Sequence, residues 1–201
     1  SVKVIYDYIK PLLDKDMRVF ELGAATGELL YLIKNDVKYC FANEINHLYT
    51  AFIKHELNIE ASSDDYLSLE FRNKFDFVIS INTIDHIYNP LKILERIYTN
   101  LNSGGYFYIE VPNDKQALNC YLSEPQKNMF KKFMYQKAHY YSFTFKTLSK
   151  LLKQTGFEII QETSRHDYTL VNYLNWYYLG TPQKKLNTAM GCSDVHLGDS
   201  D

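Results

Sequence analysis

The sequence predicts an α/β fold, a mainly parallel, doubly wound sheet with helices on both faces. Three observations predict it. The stretch VFELGAATGELL, residues 19–30, passes from a short apolar strand through an acid into a turn with glycine at both ends, and then into an apolar-periodic helix. Strand, turn and helix then alternate as far as residue 111, which implies parallel strands joined by right-handed crossovers. Finally, 201 residues suit one domain with a sizeable core, and no break in composition splits them.

Taken in order, residues 2–13 carry Val4, Ile5, Tyr8, Ile9, Leu12 and Leu13 at helical spacing, and Pro11 with Asp14, Lys15 and Asp16 marks the end of that helix. Residues 17–22 form the first strand and 27–35 the following helix; 37–43 form the second strand, with Glu44 at its carboxyl end. A helix over 47–57, a short third strand over 59–61 and the polar cluster SSDD at 62–65 come next. The segment KFDFVISINTIDHIYNP supplies a fourth strand, 75–81, and a polar turn. A helix over 91–101 leads through the turn 102–105 into a fifth strand, 106–111, stopped by Pro112.

From 113 to 142 the pattern becomes a long insertion with helical periodicity through Phe130, Phe133 and Met134, of the size that serves as a lid or binding element. Residues 147–154 read as a helix with Gly156 as its stop, and 157–161 as a sixth strand. YTLVNYLNWYYLGTP, residues 168–182, is aromatic and β-prone and is expected to hold a seventh, antiparallel strand. Little apolar periodicity follows, so 183–201 reads as a loose tail after a single domain spanning 1–182.

A formal charge of −2 leaves no electrostatic footprint for nucleic acid or an anionic membrane. The apolar runs are strand-sized and no leader pattern opens the chain, which points to a cytoplasmic protein. Cys40, Cys120 and Cys192 are widely spaced and odd in number, so neither a disulfide framework nor a zinc site follows. Many of the 18 tyrosines fall in the second half, where rings with polar tips can wall a pocket or simply fill core and surface.

The glycine turn implies a nucleotide or nucleoside cradle: Gly23 and Gly27 remove side chains where a ligand could approach, and the helix opening near Gly27 presents N–H groups. A dinucleotide fingerprint would need glycines where Ala25 and Glu28 stand, so a pyrophosphate site is poorly supported. Glu44 sits where an acid can accept both ribose hydroxyls, the alternative being a solvated loop acid.

The order of ELGAATG, Glu44, SSDD, FDFVISINTIDHIYNP and LNSGGYFYIEVPN, spanning 17–113, resembles the motif series of class I S-adenosylmethionine-dependent methyltransferases. NTIDHIYNP is similar to the LEH-x-x-dP turn of the small-molecule branch, with Asp85 in place of glutamate, and HYYSFTFKTLSKLLKQTGFEII resembles that branch's segment lining the acceptor pocket. Ala24 and Ala25 replace the more usual Cys-Gly or Ser-Gly, which an alanine can follow while φ stays negative. Asn172, Leu174, Trp176, Gly180 and Pro182 carry a further likeness to methyltransferases of activated sugars or surface polysaccharides.

The resemblance implies a Rossmann-like class I methyltransferase fold with a seven-stranded sheet, S-adenosylmethionine as cofactor and S-adenosylhomocysteine as product. It assigns Glu21, Gly23, Ala25 and Gly27 to the amino-acid end of the cofactor, Glu44 to the ribose, Asp64 (with Asp65 as the alternative, or a helix cap in either case) to the adenine, and Asn82 to the methionine portion. Methyl transfer from a sulfonium is an in-line displacement that needs alignment and no metal. An oxygen acceptor also loses a proton, which a histidine can take.

Of the six histidines, His47 and His55 fall on the helix after the second strand, His166 between the last two strands and His196 in the tail. His139 and His86 remain as candidate bases, the alternative for each being a histidine that bonds the backbone or orders a loop, with Tyr140 to orient the acceptor or simply wall the pocket. The expected acceptor is a small polar molecule: a sugar, a nucleotide-sugar or a phosphorylated or phosphoramidate precursor in capsular or other surface-polysaccharide biosynthesis. A homodimer is one permitted assembly. The alternatives are a quinone-type ring or a nitrogen or carbon acceptor, a non-catalytic cofactor-binding module, and an NAD-dependent oxidoreductase.

Overall fold

The structure is a computed structural model that describes residues 2–115, 117–134, 139–164 and 169–182. His166, His196 and the expected tail over 183–201 lie outside the described residues. The chain divides into two compact units: Ser1–Pro112 with Lys150–Glu158, and Asn113–Ser149 with Ile159–Asp201.

The first unit holds the sheet. Helix α1, Val2–Ile9, continues as a 3-10 turn over Lys10–Leu12, where Pro11 occupies the first turn that tolerates it. Then follow β1 (Arg18–Leu22), α2 (Glu28–Ile33), β2 (Tyr39–Asn43), α3 (His47–His55), β3 (Glu60–Ser62), β4 (Phe75–Ile81), α4 (Pro90–Asn100) and β5 (Leu101–Glu110). The five strands lie in the order β3-β2-β1-β4-β5, and every pairing is parallel. Alternation sorts the side chains by face. Val19, Cys40, Ala42, Phe77 and Ile79 join Ile5, Ile9, Leu30 and Ile33 in one buried cluster. On the other face Phe20 contacts the rings of Phe41, Tyr66, Phe71 and Phe75 at 5.2–6.1 Å between centroids. Each fully buried side chain of this size stabilises by roughly 1.5–3 kcal/mol, so both faces are anchored before the loops are considered.

The turn expected over 102–105 is absorbed into β5 as an irregularity, because Leu101 pairs with Phe75 while Tyr106 already pairs with Phe77. Two other expectations are corrected. Residues 157–161 form no strand: Gly156 (φ +94°) ends the helix Phe145–Gln154, the Phe157 N–H folds back on Leu152 O at 3.1 Å, and the Phe157 ring packs on Tyr98 and Phe107. That closing turn uses the backbone a sixth strand would need, and Ile160 is left 71 % exposed.

The second correction belongs to the other unit, which contains α5 (Ala117–Tyr121), α6 (Glu124–Met134), the first half of α7 (Phe145–Gln154) and α8 (Leu170–Leu179). The expected antiparallel strand within 168–182 is the helix α8. Thr169 caps it by accepting the Asn172 N–H, and Gly180 closes it in the left-handed conformation, φ +62°. Tyr173 and Trp176, three residues apart, point to one side and pack with Leu118, Leu122 and Phe130; Phe130 meets Trp176 edge-on at 5.1 Å. Burial of that stripe overrides the β preference of the aromatics. Among the described residues the sheet therefore has five strands, and no helix is long and apolar enough to cross a membrane.

Candidate functional site

The carboxyl ends of β3, β2 and β1 stand side by side, beside the point between β1 and β4 where the winding reverses and where doubly wound sheets take their ligands. After β1 the chain passes through Gly23 (φ +75°), Ala25 (φ +47°) and Gly27 (φ +73°). The positive φ at Ala25 overturns the expectation that an alanine here keeps φ negative. A left-handed alanine costs roughly 1–2 kcal/mol, and the conformation is held by its N–H, which donates to Glu44 Oε2 at 2.9 Å.

Three other turn amides are also spent within the protein. The Gly23 and Ala24 N–H groups donate to Asn43 O at 2.8 and 3.2 Å, and the Gly27 N–H to Ala24 O at 2.7 Å. The missing side chains serve packing: a Cβ on Gly23 would stand 2.2 Å from Thr83 Oγ1, and one on Gly27 2.8 Å from Ile53 Cγ1. Thr83 and Ile53, and not an open approach for a ligand, explain those two glycines.

Two acidic side chains, Glu21 and Glu44, line the site. Glu21 is 4 % exposed and its Oε2 has no hydrogen-bond partner. Burial, with the Glu44 carboxylate adding to it, pushes the Glu21 carboxyl up to about 8, so it is largely protonated at neutral pH. Glu44 is half-buried, and its Oε1 accepts the Asn46 N–H at 2.8 Å. Each Glu44 oxygen keeps a second lone pair after these bonds. Cys40 nearby is no nucleophile, because burial, and then Glu21, pushes its thiol up to about 12.

After β3, exposed Asp64 accepts the Ser62 hydroxyl at 2.7 Å, while Asp65 takes the capping role by accepting the Leu67 N–H at 2.9 Å. After β4, Asn82 is exposed and left-handed (φ +47°), its N–H bonded to Glu110 O at 2.8 Å. The 3-10 turn Ile84–His86 buries Asp85 and sets His86 Nε2 3.6 Å from Asp85 Oδ2. Glu21, Gly23, Ala25, Gly27, Glu44, Asp64, Asn82 and His86 thus come to the carboxyl edge of one sheet. His139, half-buried, and Tyr140, exposed, belong to the second unit.

Sequence reasoning missed three residues of this edge. Thr83 fills the space over Gly23, and nothing in the sequence signals that contact. His47 opens α3 with its Nδ1 2.8 Å from Ser63 Oγ, although its helix had seemed to remove it from the site. Asn43 is 2 % exposed and bonds both neighbouring loops. Its signal was readable: an amide closing the apolar run Cys40, Phe41, Ala42 must be buried, and a buried amide needs partners.

The arrangement selects by charge. A pyrophosphate needs free N–H donors, and this turn has spent four of its N–H groups on protein acceptors and set two carboxyl groups beside them. A nucleoside bearing a sulfonium and an ammonium fits instead: the unpartnered Glu21 Oε2 suits a cation, and the Glu44 lone pairs suit ribose hydroxyls.

A family model described as "Methyltransferase domain" matches residues 3–162. No curated protein matches the sequence. Among solved structures, an S-adenosylmethionine-dependent methyltransferase of Archaeoglobus fulgidus is similar at 21 % identity and TM-score 0.61, over 79 % of this chain and 70 % of that one. One of Thermotoga maritima, described as a possible histamine N-methyltransferase, is similar at 22 % identity and TM-score 0.62, over 79 % and 72 %. One of Clostridium acetobutylicum is similar at 12 % identity and TM-score 0.58, over 79 % of each chain. At such identities the likeness to these structures is one of fold.

Proposed function

This chain belongs to the methyltransferase-domain family, and from that premise we propose that it transfers the methyl group of S-adenosylmethionine to an oxygen of a small polar acceptor. The general activity, methyl transfer, follows from the family; the acceptor is the part proposed. What supports the cofactor is the charge arrangement at the turn, where spent amides and two carboxyl groups suit a cationic nucleoside and oppose a pyrophosphate. The same observation disfavours the NAD-dependent alternative.

When bound, the cofactor supplies a methyl group already activated by the sulfonium charge. The protein's part is alignment and proton removal. Glu44, fixed by two backbone N–H groups, presents its free lone pairs to the sugar hydroxyls. Glu21 faces the amino-acid end, and an ammonium beside it would favour its ionised form. His86, with the buried Asp85 carboxylate 3.6 Å from its Nε2, is the base that the first unit offers. His139 is the second candidate, with Tyr140 orienting the acceptor.

The narrower acceptor class is a sugar, nucleotide-sugar or phosphorylated precursor of a surface polysaccharide. It rests on the likeness at Asn172, Leu174, Trp176, Gly180 and Pro182. Single turnovers with methyl-labelled cofactor against sugars, sugar phosphates, nucleotide-sugars, amines and quinols test it. Label entering only amines would overturn the oxygen-acceptor reading, and label entering only quinols would overturn the narrower sugar class. His86→Ala should lower kcat by roughly 10²–10⁴-fold with cofactor affinity unchanged if His86 is the base; full turnover by His86→Ala, with loss in His139→Ala, would move that role to His139.

A further inference from the structure

We infer that Asn43 is a positioning residue that ties the turn after β1 to the loop after β3, and so fixes the distance between the two ends of a nucleoside laid across the sheet edge. The inference rests on the cofactor reading above. Asn43 is the last residue of β2, the strand between β1 and β3. Its carbonyl accepts the Gly23 and Ala24 N–H groups at 2.8 and 3.2 Å. Its side-chain Nδ2 donates to Ser62 O at 3.1 Å and to Asp64 O at 2.9 Å. One residue therefore touches both flanking loops, the first through its backbone and the second through its side chain.

The side chain has to be an amide for this. Two carbonyl oxygens face it, so both positions need N–H donors; an aspartate would offer only acceptors, and an aliphatic residue would leave the carbonyls without these bonds. Residue 43 is 2 % exposed, which ties its contribution to protein partners and not to water. On the outer side His47 Nδ1 lies 2.8 Å from Ser63 Oγ, a second tie between the start of α3 and the same loop. Glu44 stands between these two ties, with one oxygen on Ala25 and the other on Asn46. The segment from Asn43 to His47 thus holds the amino-acid end, the sugar and the base end in one frame. A loop after β3 that drifts would leave a nucleoside gripped at one end only.

Two ligands separate this role from a merely structural one. S-adenosylhomocysteine spans both ends, whereas adenosine lacks the amino-acid arm. Titration calorimetry on the full chain, at a temperature where circular dichroism shows each variant folded, should find Asn43→Ala binding S-adenosylhomocysteine about tenfold more weakly, the scale of one or two hydrogen bonds. Adenosine affinity should change by less than about twofold, because one end alone does not sense the separation. Hydrogen exchange over residues 62–65 should quicken in the same variant.

If Asn43→Ala does not fold, Asn43→Ser, which keeps one donor, and the surface variant His47→Ala carry the test, each with roughly two- to threefold weaker S-adenosylhomocysteine binding. Folded variants that hold S-adenosylhomocysteine as tightly as the wild type, or that lose both ligands by the same factor, overturn the inference. A wild-type protein that binds neither ligand would instead overturn the cofactor reading beneath it.

Discussion

Glu44 Oε2 accepts the backbone N–H of Ala25 at 2.9 Å, across 19 residues of sequence. The bond joins the acid at the end of β2 to the one alanine that the glycine turn forces into the left-handed region. Replacing Glu44 with Gln keeps the shape and removes the charge; replacing it with Ala removes both. Unfolding in urea should show Glu44→Ala destabilised by about 1–2 kcal/mol, since a charged acceptor for two N–H groups is lost at a half-exposed site. S-adenosylhomocysteine binding should weaken in both variants and more in Ala. Equal affinity in all three proteins would remove Glu44 from the cofactor site.

Ala25 makes a prediction of opposite sign. Glycine adopts φ +47° without the clash that burdens alanine, and the relief exceeds the extra chain entropy that glycine loses on folding. Ala25→Gly should therefore raise stability by roughly 0.5–1 kcal/mol. Ala25→Val should lower it, because a β-branched residue tolerates positive φ least. A destabilised glycine variant would show that the turn is not strained at this residue.

Gly23 is constrained twice, by φ +75° and by the Thr83 side chain 2.2 Å from where a Cβ would stand. Gly23→Ala should cost about 2–4 kcal/mol, combining left-handed strain with overpacking. Thr83→Ala removes the nearest atoms, so the double variant should recover the packing part and retain the strain. A double-mutant cycle in urea reads this as coupling on the order of 1 kcal/mol. Strict additivity would mean that the two side chains do not compete for that space.

Glu21 predicts how stability depends on pH. Its carboxyl rises from 4.5 to about 8 on folding, through burial first and the Glu44 carboxylate second. Between those values the folded state binds more protons than the unfolded state, so stability is fully present below pH 4.5 and falls as pH rises through about 8. The limiting slope is about 1.4 kcal/mol per pH unit. Urea midpoints from pH 5 to 8 should decline in the wild type and flatten in Glu21→Gln, which stays neutral throughout. Parallel curves for the two proteins would show that Glu21 is not the group responsible.

The β-α alternation of residues 17–111 was legible because the central strands β1, β2 and β4 are buried on both faces and read as apolar runs, and each helix shows its own period. The acids and glycines of the edge were legible for a related reason: Glu44 ends an apolar strand, and Gly23 and Gly27 bracket a turn. Their partners were not. Gly23 reads as room for a ligand until Thr83, 60 residues later in the chain, is seen to occupy the space. Ala25 gives no sign of positive φ, since the strain is repaid by a bond to a residue on another strand.

After residue 156 local preference misled. Tyr, Trp and Leu at 170–179 favour strands in isolation, yet the spacing of Tyr173 and Trp176 and the caps at Thr169 and Gly180 make α8 a helix once Phe130 and Leu118 are there to cover it. Sequence alone determined the order of the five parallel strands along the chain and which acids stand at their ends, because those follow from apolar period and turn chemistry, and its motif series carried the resemblance to the family. Only the tertiary structure decided what each glycine packs against, that Asn43 and His47 tie neighbouring loops, and that Glu21 holds a proton, because those depend on contacts between distant segments and on burial that no local pattern records.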